Sequence, residues 1–487
     1  MDDLRERFAG LDDIRVPDLW TDVERRLAAY ETPKLAPVTG TRRSTPGGDT
    51  GSWGVGRRRT AALLAAAALI AALLIGALAA GSQLMRLTAL LPSTPLPSIV
   101  PPTVAPRPSP ARSVSPEPSN GLGEASWTRA ADMPNVFGPG ALTIVLHDGS
   151  VLVAGQGTVR GGPQSPSEAA ALYEPATGRW TAVPGPAIGT ASMTLLPDGR
   201  VLATGGGASA RTTQLYDPLT HSWTPTANML VRRNLGGYTA TLLGDGTVLV
   251  AGGFDSPGDT WTAVRSGELY DPRSGSWSAT GNMIQGRRDH TATLLEDGTV
   301  LVVGGAAPPQ SNPKDGDLRS LASAEIYNPT SGTWTAAKPL RKARALHTAT
   351  LLDDGTVLVA GGDGRSSPGR SAERYDPRTG HWKLTGNMTL GRIEFTSTLL
   401  RDGSVLVAGG RTVDAKGGEA SASAELYDPA TETWSPTATL TQARRRHGGS
   451  LLPDGRVLLV GGQKDQLSMN WLASSELYVP GDAASTP

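Results

Sequence analysis

The sequence predicts an all-β domain, a closed ring of seven four-stranded antiparallel sheets, standing behind a single membrane-spanning helix. Three observations predict it. A unit of about fifty residues recurs seven times, a strand-like Ser126-Trp127-Thr128 stands ahead of the first unit, and Thr60–Met85 is an apolar run without a charged residue. The last unit stops before its fourth strand, so the first fragment and the last unit complement each other.

The fifth copy, Arg344–Trp382, shows the unit plainly. His347–Leu352 is an apolar, Thr-bearing run, and Asp354-Gly355 is a hairpin signal. Thr356–Ala360 is a β-branched run closed by Gly361-Gly362, and Ala372–Tyr375 is a third. Asp376-Pro377 through Gly380 makes the second turn, and Trp382 opens a fourth strand. Such a sheet is apolar on both faces and needs copies of itself on either side.

Asp-Gly pairs begin at Asp148, Asp198, Asp245, Asp297, Asp354, Asp402 and Asp454, in steps of 50, 47, 52, 57, 48 and 52 residues. Six of them are followed by Gly-Gly, from Gly205-Gly206 to Gly461-Gly462, and the first by Gly155-Gln156-Gly157. Third-strand tyrosines recur at Tyr173, Tyr216, Tyr270, Tyr327, Tyr375, Tyr427 and Tyr478. A period near fifty with a Gly-Gly and four strands resembles the kelch repeat, which implies a seven-bladed β-propeller over roughly Ala125–Gly481. The resemblance specifies fold more than activity, because propellers host many functions.

Trp180, Trp223, Trp277, Trp334, Trp382 and Trp434 each follow their tyrosine by seven residues, and the seventh copy has no such tryptophan. Trp127 is therefore expected to supply the last blade's outer strand, removing the edges that an open stack would expose. Six blades with one copy outside the ring is the alternative. The intact Val151–Gly155 and Tyr173–Trp180 of the first copy argue against it.

Ahead of the ring, residues 1–59 are polar and of mixed charge. Leu4, Phe8 and Leu11, then Leu19, Val23 and Leu27, have helical spacing, which suits short amphipathic helices in a cytoplasmic tail with a docking partner or none. As a helix, Thr60–Met85 reaches about 39 Å against a bilayer core of ~30 Å. Arg42, Arg43 and Arg57–Arg59 precede it and only Arg86 follows closely, so the N-terminus is expected in the cytoplasm and the ring outside. A signal peptide cut near Ala77-Leu78-Ala79 is the alternative reading, but its leading region is unusually long. Residues 86–124 form a stalk whose Pro92–Pro118 core favours polyproline II, and residues 482–487 are a polar end.

Net charge is zero, which gives no bulk electrostatic case for nucleic acid. With no cysteine, disulfides and thiolate metal sites are excluded. No cofactor is expected.

Strand alternation puts the Asp-Gly and Asp-Pro-x-x-Gly turns on one face of the ring. The variable loops after Gly-Gly and the crossovers into each next blade lie on the other, where a ligand is expected. Arg287 with His290, Arg344 with His347 and Arg444 with His447 recur there in register, with Arg392 and Phe395 as a variant and Tyr238 at the histidine position of the third copy. These residues, with Trp471 in the last long loop, are the candidate ligand-binding set for acidic groups of a protein or glycan. The alternative is that the arginines pair with Glu268, Glu325, Glu373, Glu425 and Glu476 and serve the blades. The histidines lack metal-ligand spacing.

The kelch resemblance extends to galactose oxidase, a copper enzyme whose site needs a tyrosine crosslinked to cysteine; without cysteine that cofactor cannot form. Sialidase boxes, a nucleophile elbow and a Walker sequence are absent. The expected function is thus a membrane-anchored binding module for a protein or glycan outside the cytoplasm. A sugar hydrolase, lyase or epimerase using Asp255, Asp289, Glu394 or Asp414 is an alternative, as is a receptor signalling through the tail.

Overall fold

The computed structural model describes residues 124–137, 141–159, 167–206, 210–233, 237–255, 262–308, 319–362, 369–412, 419–464 and 471–481. All belong to one compact unit, Ser115–Pro487. The tail, the Thr60–Met85 span, the stalk up to residue 123 and residues 482–487 lie outside the described residues.

The domain is a seven-bladed propeller. In blade 5, Thr348–Leu351, Val357–Ala360, Ala372–Asp376 and His381–Leu384 pair in chain order, all antiparallel. Asp354 sets its first hairpin, because one carboxylate oxygen accepts from both the backbone N–H (3.0 Å) and the hydroxyl (2.6 Å) of Thr356. Gly355 then takes φ 79°, a conformation that suits glycine. The second strand reads Val-Leu-Val-Ala and is buried throughout, since a neighbouring blade covers each face. Around the axis the first strands stand side by side. Leu142–Val145 of blade 1 meets both Thr190–Leu195 of blade 2 and Gly448–Leu451 of blade 7, which closes the ring.

Closure occurs where the sequence places it. Ser126–Arg129 pairs with Ser475–Val479, with Trp127 opposite Tyr478. Their rings lie 5.0 Å apart, against 4.9 Å for Tyr375 and Trp382 in an uninterrupted blade. Trp127 Nε1 donates to the Ala438 carbonyl of blade 6 at 2.9 Å, just as Trp382 donates to Lys338 of blade 4 at 2.7 Å. The tyrosines are buried, and the hydroxyls of Tyr270, Tyr327, Tyr427 and Tyr478 cross the same seams to Thr226, Thr280, Thr385 and Thr437. The aromatic pairs are thus interblade packing. Truncating Trp127 to alanine would remove a buried aromatic anchor of the kind worth about 3–5 kcal/mol.

The Gly-Gly pairs explain how crossovers seat. Gly305 N–H donates to the Arg344 carbonyl of the next crossover at 2.8 Å. A Cβ on Gly305, at φ 92°, would lie 2.6 Å from the Arg288 carbonyl oxygen. No side chain fits between the two crossovers.

Candidate functional site

The recurring arginines lie inside the blades. Arg287, Arg344, Arg392 and Arg444 have essentially no exposed surface. Each guanidinium forms a salt bridge to a third-strand glutamate of the blade being entered: Arg287–Glu325 at 2.6 Å, Arg344–Glu373 at 2.8 Å, Arg392–Glu425 and Arg444–Glu476 at 2.6 Å. Each also donates to the carbonyl of the first Gly of Gly-Gly, as Arg344 does to Gly361 at 2.7 Å. Burial lowers the pKa of Arg287, Arg392 and Arg444, and the paired glutamate pulls each back up. The glutamates do a second task. Glu325 also accepts from the backbone N–H groups of Ile284 (2.6 Å) and Gln285 (3.1 Å), pinning the crossover from blade 3. The pairing expected between blades is therefore a staple of the crossover to the blade it enters.

A fifth staple escaped the sequence pattern. Arg233 bonds Glu268 at 2.7 Å and is fully buried. It precedes Tyr238 by five residues where its counterparts precede their aromatic by three, so it falls out of register.

The histidines join neighbouring first strands. His290, His347 and His447 reach Thr239, Thr291 and Thr396 through Nε2 at 3.2, 3.0 and 3.0 Å. Tyr238, at the same position, reaches instead to Thr204 on the second strand of blade 2, at 2.7 Å. Burial first, then the adjacent arginines, pushes His347 down to about 3; burial and Arg444 do the same to His447, and His290 moves the same way. All three are neutral imidazoles at ordinary pH.

The residue before each of these positions lines the mouth. Gly237, Asp289, Leu346, Glu394 and Arg446 all take left-handed backbone, with φ 72°, 53°, 55°, 57° and 51°. Backbone bonds link them from blade to blade: Asp289 N–H to Gly237 at 2.8 Å, Leu346 to Asp289 at 3.2 Å, Arg446 to Glu394 at 2.9 Å. Four non-glycine residues in this region, at one end of one channel, mark stored strain of the kind found at functional sites. No sequence signal distinguishes them.

Above the mouth stands a second tier. In blade 4, Ala306 bridges to Arg288 and pairs with Ser320. Arg411 bridges Ile393 and Ala420 in blade 6, and Gln463 bridges Arg445 and Trp471 in blade 7. Phe254–Asp255 pairs with Thr262–Ala263 in blade 3, and Asn135–Phe137 pairs with the extended second strand of blade 1. The predicted variable loops thus rest on short, hydrogen-bonded bases, and Trp471 is half-buried in one of them. The opposite face carries the Asp-Gly turns and the proline turns, Asp-Pro in blades 2, 3, 5 and 6, Glu174-Pro175 in blade 1 and Asn328-Pro329 in blade 4.

Five charged residues of this tier are paired with one another. Arg288 bonds Asp289 at 2.7 Å and lies over the Phe254 ring, 5.2 Å from its centroid. Glu394 receives Arg445 at 3.0 Å and Arg446 at 2.6 Å. Asp255 has a buried Oδ1 with no hydrogen-bond partner among the described residues, and Asp414 lies outside them. Asp289 and Glu394 enter blades 4 and 6 and each is held by guanidinium, which is not the arrangement of two carboxylates sharing one acid–base task.

The Kelch motif is matched at residues 237–284, 343–389 and 396–441, which coincide with blades 3, 5 and 6. The chain is a seven-bladed β-propeller that carries Kelch motifs. Spermatocyte protein spe-26 of Caenorhabditis elegans is 32% identical over 171 residues, 34% of this chain and 28% of that protein. Kelch-like protein 34 of Homo sapiens is 28% identical over 166 residues, 34% of this chain and 23% of its own length. Galactose oxidase of Gibberella zeae is 30% identical over 171 residues, 34% and 24% of the two lengths. The chain spans about a quarter of the length of these relatives. A fungal alcohol oxidase solved in complex with copper superposes with a TM-score of 0.58 at 21% identity, covering 74% of this chain and 77% of that one, a likeness of fold. There is no cysteine, and among the described residues no three His, Asp or Glu gather as ligands.

Proposed function

We propose that this kelch propeller is a membrane-anchored interaction protein that takes a protein ligand on its crossover face, outside the cytoplasm. Kelch propellers generally bind proteins, and the difference between the two faces carries the reading. One face repeats short Asp-Gly and proline turns, whereas the other presents a strained mouth ringed by unlike loop bases with Arg288, Phe254, Arg446 and Trp471 among them. A rigid ring with variable loops on one side is how scaffolds present binding residues. The uncharged Thr60–Met85 and the arginines before it support the anchor and its orientation, and the proline-rich stalk supports reach beyond the lipid. A glycan ligand and signalling through residues 1–59 belong to the same reading as its less supported branches.

Two probes test it in the full-length chain. A photo-crosslinking benzoylphenylalanine at Leu390, 41% exposed on a crossover, is expected to capture the partner, whereas the same residue at Leu219, 91% exposed on an Asp-Pro turn, is not. Capture from Leu219 alone would assign the wrong face. Because the chain has no cysteine, Leu219→Cys gives a unique label site for an impermeant maleimide on intact cells. Labelling only after lysis would overturn the orientation.

A further inference from the structure

Among the described residues six large apolar side chains are exposed, and three of them, Leu230 (47%), Ile284 (53%) and Leu390 (41%), stand on crossovers. They are held in place. Glu268 takes the N–H of Leu230, Glu325 that of Ile284 at 2.6 Å and Glu425 that of Leu390 at 3.4 Å, so the staple glutamates fix the backbone that carries them. An arginine stands beside each. Arg211 Nε donates to the carbonyl of Met229, just before Leu230, at 2.8 Å, and Arg265 Nε to that of Met283, just before Ile284, at 2.9 Å. Arg370 Nη1 reaches the carbonyl of Thr389, just before Leu390, at 3.5 Å. All three arginines are exposed.

Arginine and aliphatic side chain occur together or not at all. The arginine's place is the residue whose carbonyl receives the N–H of the buried crossover Met or Leu: Arg211, Arg265 and Arg370, but Ala322 and Ala422 in blades 4 and 6. The crossovers leaving those two blades present Arg341 and Thr441 instead of an aliphatic residue, and Glu373 and Glu476 hold their N–H groups at 2.8 and 2.6 Å. A crossover is therefore seated without the arginine, and an exposed aliphatic side chain adds nothing to a blade's core. The loops of Arg265 and Arg370 also carry Asp255, Asp259 and Asp363, the last two outside the described residues. Segments 206–213 and 226–237, which hold Arg211 and Leu230, contain no carboxylate and add the exposed Arg232. A guanidinium that gives only Nε to the crossover keeps its Nη pair for a carboxylate in planar, two-point geometry. We propose that Arg211 and Leu230 dock an acidic residue and an adjoining aliphatic one of the partner protein, and that Arg265 with Ile284 repeats the point on the next blade. Arg370 with Leu390, one position further along its crossover, is a third. The proposal rests on the crossover face being the binding face and adds the chemistry of what it binds.

The probe is a fluorescein-labelled peptide with two Glu-Leu pairs, compared with its Gln-Leu and Glu-Ser counterparts by anisotropy on the full-length chain in detergent at low salt. The Glu-Leu peptide is expected to bind about tenfold tighter than either, the worth of one charge-assisted bond or one aliphatic contact. Arg211→Gln with Arg265→Gln is expected to erase the preference for Glu over Gln and keep that for Leu over Ser. Leu230→Ser with Ile284→Ser is expected to do the reverse, a pattern that partial unfolding cannot imitate. Should the arginine pair not fold, the exposed Leu230 and Ile284 still decide the point. Equal binding of the three peptides overturns the proposal. So does a lowered melting temperature in the arginine pair with both preferences intact, since the arginines would then only brace the crossovers. Displacement of all three peptides alike by dihexanoylphosphatidylglycerol also overturns it and assigns these points to anionic lipid. If these results are negative while Leu390 still crosslinks, the docking chemistry is wrong and the binding face stands; capture from Leu219 alone removes the face itself.

Discussion

Blades 3–7 and blades 1–2 solve the same problem in different ways. In the former, the crossover into each blade is held by a buried arginine–glutamate staple, five times over. Blade 2 has Gln214 at the glutamate position, accepting only the Ala187 N–H at 2.8 Å, and its crossover is the short stretch 185–189 where blade 4 has 281–290. So short a connection has no slack to pin. Blade 1 has Ala171 at that position, and its long crossover is held as the strand Asn135–Phe137, paired by backbone bonds to the second strand. The staple is therefore a device for long crossovers that are not themselves strands. A buried ion pair is weak evidence for net stability, but it fixes one arrangement of the groups around it.

Breaking one staple is the largest test of this contrast. Glu325→Ala leaves Arg287 buried without its counter-charge and three donors unmet, and is expected to cost about 3–5 kcal/mol. Gln214→Ala in blade 2 gives up one hydrogen bond and should cost about 1 kcal/mol. Urea unfolding of the two variants measures the gap. Equal losses would mean that the staple carries no more than an ordinary hydrogen bond.

How much of this was legible follows from what repeats. Asp-Gly, Gly-Gly, tyrosine and tryptophan recur because every blade needs the same turns and seams, so the ring, its closure by Trp127 and the seven blades could be read in advance. The placement of Arg287, Arg344, Arg392 and Arg444 could not. A cation near a loop reads as a surface group until its partner's burial is known, and periodicity alone left both readings open. Arg233 was hidden by two extra residues in its crossover. The mouth was hidden more completely, because left-handed backbone at Asp289, Leu346, Glu394 and Arg446 is imposed by ring geometry and leaves no residue signature except at Gly237. The bases of the long loops are held by isolated bridges, too short to show a strand period.

The histidine seams give the next effect in size. His347 and His447 titrate near 3 in the folded chain and near ~6.5 when unfolded. Between those values the unfolded chain binds more protons, so stability falls as pH drops through the window and is fully retained above it. At pH 5 each histidine costs about 2 kcal/mol relative to neutral pH. Blade 6 already uses Phe395 and blade 3 Tyr238 at this position. Replacing both His347 and His447 by phenylalanine should therefore flatten the acid limb of a stability–pH curve, at the expense of the bonds to Thr291 and Thr396. An unchanged slope between pH 6 and 4 would place the acid sensitivity elsewhere.

The smallest effect separates strain from ring geometry. Leu346 sits at φ 55° in the blade between those entered by Asp289 and Glu394, and its N–H donates to the Asp289 carbonyl at 3.2 Å. Leu346→Gly relieves the left-handed penalty of about 1–2 kcal/mol but gives up a half-buried side chain and frees the unfolded chain, each opposing the gain. The expected net change is within about 1 kcal/mol of zero. Leu346→Ala keeps the penalty and loses most of the side chain, so it should be the less stable of the two despite being chemically closer to leucine. Thermal melts of the pair decide the point by their order. If alanine proves more stable than glycine, the mouth backbone is not strained, and the left-handed ring is simply the path the chain takes between blades.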